Sequence, residues 1–216
     1  MGTHPAFQIP TMRADTISTS PPKPSGPPAR GIPVTGVAGA VFVAIKHFVV
    51  ARFRPGTLQA LSRRLDPAAR EALLGARTDA WYPSALLLPV LQASFEELAE
   101  GDLARYHGLV YDATLHAMRH AFREAMELGG TTQIVTKLPS LWQRLQRGDT
   151  RVSASVTDGV AEIRIKRRAA ALDPLYLQTV LAILRALFYA ATGVERSISV
   201  KRRTKNTIEL RVGGLG

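Results

Sequence analysis

The sequence predicts an α+β domain: a helical N-terminal part, then a β-β-α-β-β antiparallel four-stranded sheet, behind a disordered tail. Three observations carry this. From Val37 onward apolar residues recur at spacings of three and four, the period of a half-buried helix. At Arg151 the pattern switches to strict alternation, the period of a strand. Eight of the fourteen prolines crowd into residues 1–33. Proline lacks the backbone donor that helices and ladders need, so this segment reads as disordered and residues 34–216 as a single domain. Its PxxP-like stretches, at Pro21–Pro24 and Pro24–Pro27, read as a solvated leader or as a proline-motif ligand.

The elements follow in order. Val37, Val41, Ile45, Phe48, Val49 and Phe53 lie on one helical face, and Arg54-Pro55-Gly56 stops that helix. Thr57 caps a short helix through Leu65. Asp66-Pro67 supplies the N-cap and first residue of another over 67–75. Trp81-Tyr82-Pro83-Ser84 breaks the chain before a helix over 84–99. Asp102 caps a long helix to Leu128, ended by Gly129-Gly130, and a short helix covers 138–147. Val152, Ala154 and Val156 then alternate with polar residues, Asp158-Gly159 turns the chain, and Ala161, Ile163 and Ile165 alternate on the return. Asp173-Pro174 opens a strongly apolar helix to Thr192-Gly193. Strands over 196–203 and 206–212, with a turn at Lys205-Asn206, complete the sheet.

Composition removes several chemistries. The chain has no cysteine, which excludes disulfides, zinc-thiolate centres and thiol nucleophiles. There is no Gly-x-Ser-x-Gly, no Gly-x-Gly-x-x-Gly and no Walker loop. No catalytic residue and no cofactor site is assigned, and the chain reads as a non-enzyme. Residues 1–30 lack the apolar core of a signal peptide. Of the longest apolar stretches, 37–45 is too short to span a bilayer, and 175–191 carries Gln178 and Arg185. Both read as core helices, and the protein as cytoplasmic with no transmembrane segment.

Asp112, His116, His120 and Glu124 lie four apart along one predicted helix. Steps of four drift by about 40° each, so the outer carboxylates cannot share a centre with both histidines. With Arg119, Arg123 and Glu127 on the same side, the stripe reads as a solvated face, and no metal site is assigned. The net charge of +11 is concentrated beyond residue 150. Arg164, Lys166, Lys201, Arg203 and Arg211 alternate with the apolar strand positions and are expected on one side of the sheet, with Glu162 and Glu209 among them. That face is either a solvated surface or a binding face for an anionic partner: nucleic acid through its backbone, or an acidic protein. A base-stacking RNA platform is disfavoured because the face carries no aromatic residue. Trp81, Tyr82 and Trp142 sit beside prolines at helix ends and read as core packing or as the wall of a ligand pocket.

Gly36-Val37-Ala38-Gly39-Ala40-Val41-Phe42, Phe48-Val49, Trp81-Tyr82-Pro83, Leu138-Pro139-Ser140-Leu141-Trp142 and the basic hairpin strand resemble an uncharacterised paralogous family of myxobacterial proteins. That family is distantly similar to the ligand-binding fold of haem nitric-oxide sensors, four-vinyl-reductase domains and TRAPP subunits. The resemblance covers residues 34–212. It implies a haem, small ligand or acyl chain held between sheet and helices. The haem sensors carry a proximal histidine ahead of the sheet and a Tyr-x-Ser-x-Arg grip. Here 131–150 contains no histidine, and Arg164-Ile165-Lys166-Arg167-Arg168 offers only the final arginine. The resemblance thus implies a regulatory or adapter domain that does not bind haem in the usual manner. The expected partners are a protein or a small apolar ligand, with nucleic acid and a homodimer left open.

Overall fold

The structure, a computed structural model, describes residues 35–120, 130–148, 150–167 and 173–213. The proline-rich tail, the expected helix end near Leu128, Glu124 and Arg168 lie outside the described residues. The fold is α+β, as the sequence predicts. Helices α1 (Gly39–Arg52), α2 (Thr57–Arg63), α3 (Pro67–Gly75), α4 (Leu87–Leu98) and α5 (Leu103–His120) come first. Then come α6 (Thr131–Leu145), strands β4 (Thr150–Thr157) and β5 (Val160–Arg167), α7 (Pro174–Thr192), β6 (Ile198–Arg203) and β7 (Thr207–Val212). Three short strands, β1 (Gly36–Ala38), β2 (Trp81–Pro83) and β3 (Gln146–Arg147), form a separate antiparallel sheet in the order β2-β1-β3.

Local chemistry sets many of these boundaries. The Asp66 and Asp102 carboxylates accept from the Ala69 and Arg105 amides at 2.9 and 2.7 Å, and Asp173 accepts from Leu175 at 2.7 Å. Each satisfies a donor that the first helical turn leaves open. Asp158 and Gly159 both adopt positive φ, at 50° and 70°, which matches the twist of the β4–β5 hairpin.

The large sheet runs in the order β4-β5-β7-β6 and is antiparallel throughout. Ile163, Ile165, Ile208 and Leu210 on its inner face are buried against Val180, Leu184 and Phe188 of α7 and Ile134, Leu138 and Trp142 of α6. A second core joins α1 to α4 through Phe42, Val49, Leu61, Leu73 and Val90. Leu91, Ala99, Tyr106 and Leu175 form a smaller cluster linking α4, α5 and α7.

Two expectations need correction. The first helix starts at Gly39 rather than Val37, because Gly36–Ala38 pairs with β2 and β3. The helix before the sheet begins at Thr131, not residue 138, and contains Pro139 in its interior. Its β-branched opening and its proline argue locally against helix. Thr131, Ile134, Val135, Leu138 and Trp142 nevertheless form a buried stripe at helical spacing, and tertiary burial overrides the local preference.

Gly39 fixes the join between β1 and α1. Its amide donates to Ala80 O at 2.8 Å, and a Cβ there would stand 2.0 Å from Arg77 O and 2.8 Å from the Tyr82 ring. Backbone atoms cannot yield as a side chain can. Gly39→Ala is therefore expected to destabilise the fold by about 3 kcal/mol or more, measured by denaturant unfolding. A loss below about 0.5 kcal/mol would contradict this close approach.

Candidate ligand-binding cavity

Helices α1, α4, α5, α6 and α7 do not close completely on one another. Between them lies a cavity of about 570 Å³. Its wall includes Ile45 and Phe48 of α1, Leu87 and Leu91 of α4, Val110, Ala113 and Ala117 of α5, Leu141 and Trp142 of α6, and Ile183 of α7. Among the described residues no strand of the four-stranded sheet contributes to it, and its wall comes mainly from helices. The cause is visible in α5. Ala113 and Ala117 present small side chains where leucines would fill the space.

The wall is almost wholly apolar. Arg144, exposed and located where the cavity meets solvent, is its one charged residue among those described. Most hydroxyls in the wall are already engaged. Ser94 and Thr114 donate to Val90 O and Val110 O at 2.8 and 2.7 Å. Thr179 donates to Leu175 O at 2.9 Å, so it accepts from the Tyr106 hydroxyl, also at 2.9 Å. Burial pushes the Tyr106 phenol up to about 12. The Trp142 indole N–H, in contrast, is buried with no hydrogen-bond partner among the described residues. Among the residues whose side chains are described, no histidine lines the cavity.

A polar string runs along the α5–α7 contact. His107 Nδ1 lies 3.1 Å from Gln178 Oε1, and Arg185 Nη1 lies 3.2 Å from His107 Nε2. Arginine can only donate, so Nε2 accepts and Nδ1 carries the proton given to Gln178. Arg185 Nη2 also donates to Glu195 at 2.9 Å. Burial, reinforced by the Arg185 charge, holds the His107 imidazole below its usual range. Sequence reading missed this string. The available signal was that Gln178 and Arg185 lie seven apart, on one face of an otherwise apolar helix.

The three aromatic residues expected as a pocket wall separate in the structure. Trp142 lines the cavity. Tyr82 packs its ring edge against Phe42 at 5.5 Å, and its hydroxyl accepts from the Arg77 amide at 3.1 Å. Trp81 lies under the Arg147 guanidinium, 4.3 Å from ring centre to cation. Neither touches the cavity. On α5, Asp112 is exposed and His116 packs against the Phe48 ring at 6.0 Å. Among the described residues no three His, Asp or Glu side chains gather into a metal-binding group.

The outer face of the sheet carries Arg164, Lys166 and Arg211, with Glu209 opposite Arg164 and Glu162 opposite Arg211. Lys201 joins them through a 2.6 Å bond to Glu162, which holds that carboxyl below its ordinary range. Arg164 pairs with Glu209 at 2.6 Å. Arg203 does not share this face. The register shifts between Val200 and Arg202, so Arg202 stands opposite Glu209 and Arg203 opposite Ile208, on the helix-covered side. A single extra residue at Lys201 breaks the alternation that places Arg203 on the outer face. Arg151, directly opposite Lys166, completes the face.

No family model matches this chain, and no curated protein matches it. Its likeness is to solved structures of H-NOX domains. The Fe(II) unliganded H-NOX protein from K. algicida superposes with a TM-score of 0.57 at 8% identity, over 81% of this chain and 95% of that one. An oxygen-binding H-NOX domain related to soluble guanylate cyclases gives 0.56 at 11%, over 80% and 91%. The IWP-051-bound H-NOX from Shewanella woodyi gives 0.55 at 12%, over 81% and 92%. At these identities the likeness shows a shared fold.

The His107 string generates a pH dependence. Below pH about 6.5 the unfolded chain takes up a proton that the folded chain resists, so stability falls as pH drops until folded His107 itself is protonated. Denaturant unfolding at pH 7.5 and 5.5 is expected to show this loss in the wild type and a smaller loss in His107→Asn. An equal loss in both proteins would remove His107 as its source.

Proposed function

We propose that this chain is a non-enzymatic ligand-binding domain, with residues 34–216 as the folded unit and 1–33 as a leader. In this reading it holds a small apolar ligand among its helices and relays occupancy to a protein partner. One observation carries the reading: a cavity of about 570 Å³ with almost entirely apolar walls. Small-molecule sites commonly enclose roughly 300–1,000 Å³ and combine apolar walls with a few polar groups. The H-NOX-like fold supports a ligand-binding role.

The donor set disfavours haem held in the manner of those neighbours. Haem iron requires an axial ligand, usually histidine or a thiolate. Among the residues whose side chains are described, no histidine lines the cavity, and the chain has no cysteine. Tyr106, a phenol in the wall, is committed to Thr179 and held protonated. We further propose a soluble, cytoplasmic setting. The helix long and apolar enough to cross a membrane, α7, is packed against the sheet and α5.

A second reading is favoured by the outer sheet face, where Arg151 and Lys166 stand opposite one another and Arg202 and Arg211 lie nearby. That face could take a nucleic-acid backbone or an acidic protein. Its binding would weaken steeply with salt and with charge reversal at Arg151 and Lys166, and salt-insensitive or absent DNA and RNA binding would remove it.

The main reading is tested with 1-aminoanthracene, a neutral apolar dye whose emission rises on burial. The wild type is expected to bind it, and Ala113→Trp, which fills the cavity, to weaken binding at least tenfold without lowering the melting temperature. Undiminished binding to the filled variant would contradict a ligand site here. Added hemin is expected to give no histidine-ligated Soret band.

A further inference from the structure

The two edges of the four-stranded sheet differ. Strand β6 carries a bulge at Lys201 and the run Lys201-Arg202-Arg203, devices that keep an edge from pairing with another chain. Strand β4 has neither. It is eight residues long, pairs with β5 in unbroken register, contains no proline and holds one charge, Arg151. It stands last in the sheet order, and no strand among the described residues pairs with its other side. Val156, on its apolar side, is 36% exposed. We infer that two copies of this chain pair antiparallel through β4, centred on Ala154, and join their sheets into one.

Two observations select a second copy as the partner. The first is symmetry. The two-residue turn Asp158-Gly159 makes Thr157 and Val160 a pair that exchanges both backbone bonds, so Ser155 and Ser153 also turn their backbone groups to β5. Val152, Ala154 and Val156 turn theirs to the open edge. The segment Val152-Ser153-Ala154-Ser155-Val156 reads identically in both directions. A twofold axis at Ala154 therefore sets Ala154 against Ala154 and Val152 against Val156, every one with outward backbone groups. The valines meet on the apolar side and the serines on the outer side. A shift of one residue would set valine against serine and lose the match. The second observation is charge. The same register sets Thr150 against Asp158 and Arg151 against Thr157, so the Arg151 position of each copy stands next to Asp158 of the other. Both ends of the seam thus join opposite charges. This inference rests on the sheet edge alone and is independent of the cavity.

Sedimentation velocity of the full chain is expected to show a dimer at about 100 µM, in the range of a small interface. Ala154→Pro removes the central donor and sets a ring in the seam, on an amide that β5 does not use, so the fold is expected to persist. It is expected to weaken the dimer at least about tenfold with an unchanged circular dichroism spectrum. Arg151→Gln and Asp158→Asn, the latter suited to the same turn, are each expected to weaken it a few-fold, and the double variant no more than either single one. Cross-linking reads the register. The chain has no cysteine, so introduced thiols stand alone. Ser153 of one copy faces Ser155 of the other as a non-hydrogen-bonded pair, about 4.5 Å between Cα atoms, close enough for a disulfide. A mixture of Ser153→Cys and Ser155→Cys chains is expected to cross-link on mild oxidation much faster than either chain alone. The charge cycle and the cross-link decide the matter even should Ala154→Pro unfold. A wild-type monomer at that concentration overturns the inference and leaves the edge to a strand of another protein. A dimer that folded Ala154→Pro leaves intact, or equal cross-linking in all three samples, overturns it as well.

Discussion

A helix that is apolar around most of its circumference must be covered there, and α7 is such a helix, with Gln178 and Arg185 on its one polar face. Val180, Leu184 and Phe188 cover the inner face of the sheet, burying Ile163, Ile165, Ile208 and Leu210. Another side meets α5 through Tyr106–Thr179 and the His107–Gln178–Arg185 string. A third, with Tyr176, Thr179 and Ile183, faces the cavity. The sheet therefore depends on α7 for its core, and α7 depends on α5 for its polar residues. The third side lacks a full complement of protein atoms among the described residues.

The size of the gap decides how it is read. At about 570 Å³ it falls within the range of small-molecule sites, roughly 300–1,000 Å³, and it opens to solvent, so the cost of a sealed dry void does not apply to it. Ala113 and Ala117 leave part of it open, and larger side chains there would fill that part.

Much of the fold was legible where it is decided locally. Asp66-Pro67 and Asp173-Pro174 marked helix starts because the cap is a side-chain hydrogen bond three or fewer residues away. Asp158-Gly159 marked the hairpin because both residues must take positive φ. Features that depend on distant partners were not legible. Strands of two or three residues have too little length to show a period, so β1, β2 and β3 passed unseen. The bulge at Lys201 leaves no mark in the alternation that precedes it, and this misplaced Arg203. Pro139 argued for a boundary that burial of Ile134, Leu138 and Trp142 overrides. Of the three aromatic residues read as core packing or a pocket wall, Trp142 borders the cavity, while Trp81 and Tyr82 pack elsewhere. A cavity is where several helices fail to meet, and no single helix encodes that.

A stable, accessible apolar cavity among five helices is reported most directly by xenon, which enters apolar cavities without needing a specific contact. Crystals of the full chain pressurised with xenon should show xenon density bordered by Val110, Ala113, Leu141 and Ile183. Unchanged density there, with those side chains in van der Waals contact across a closed gap, would contradict the account.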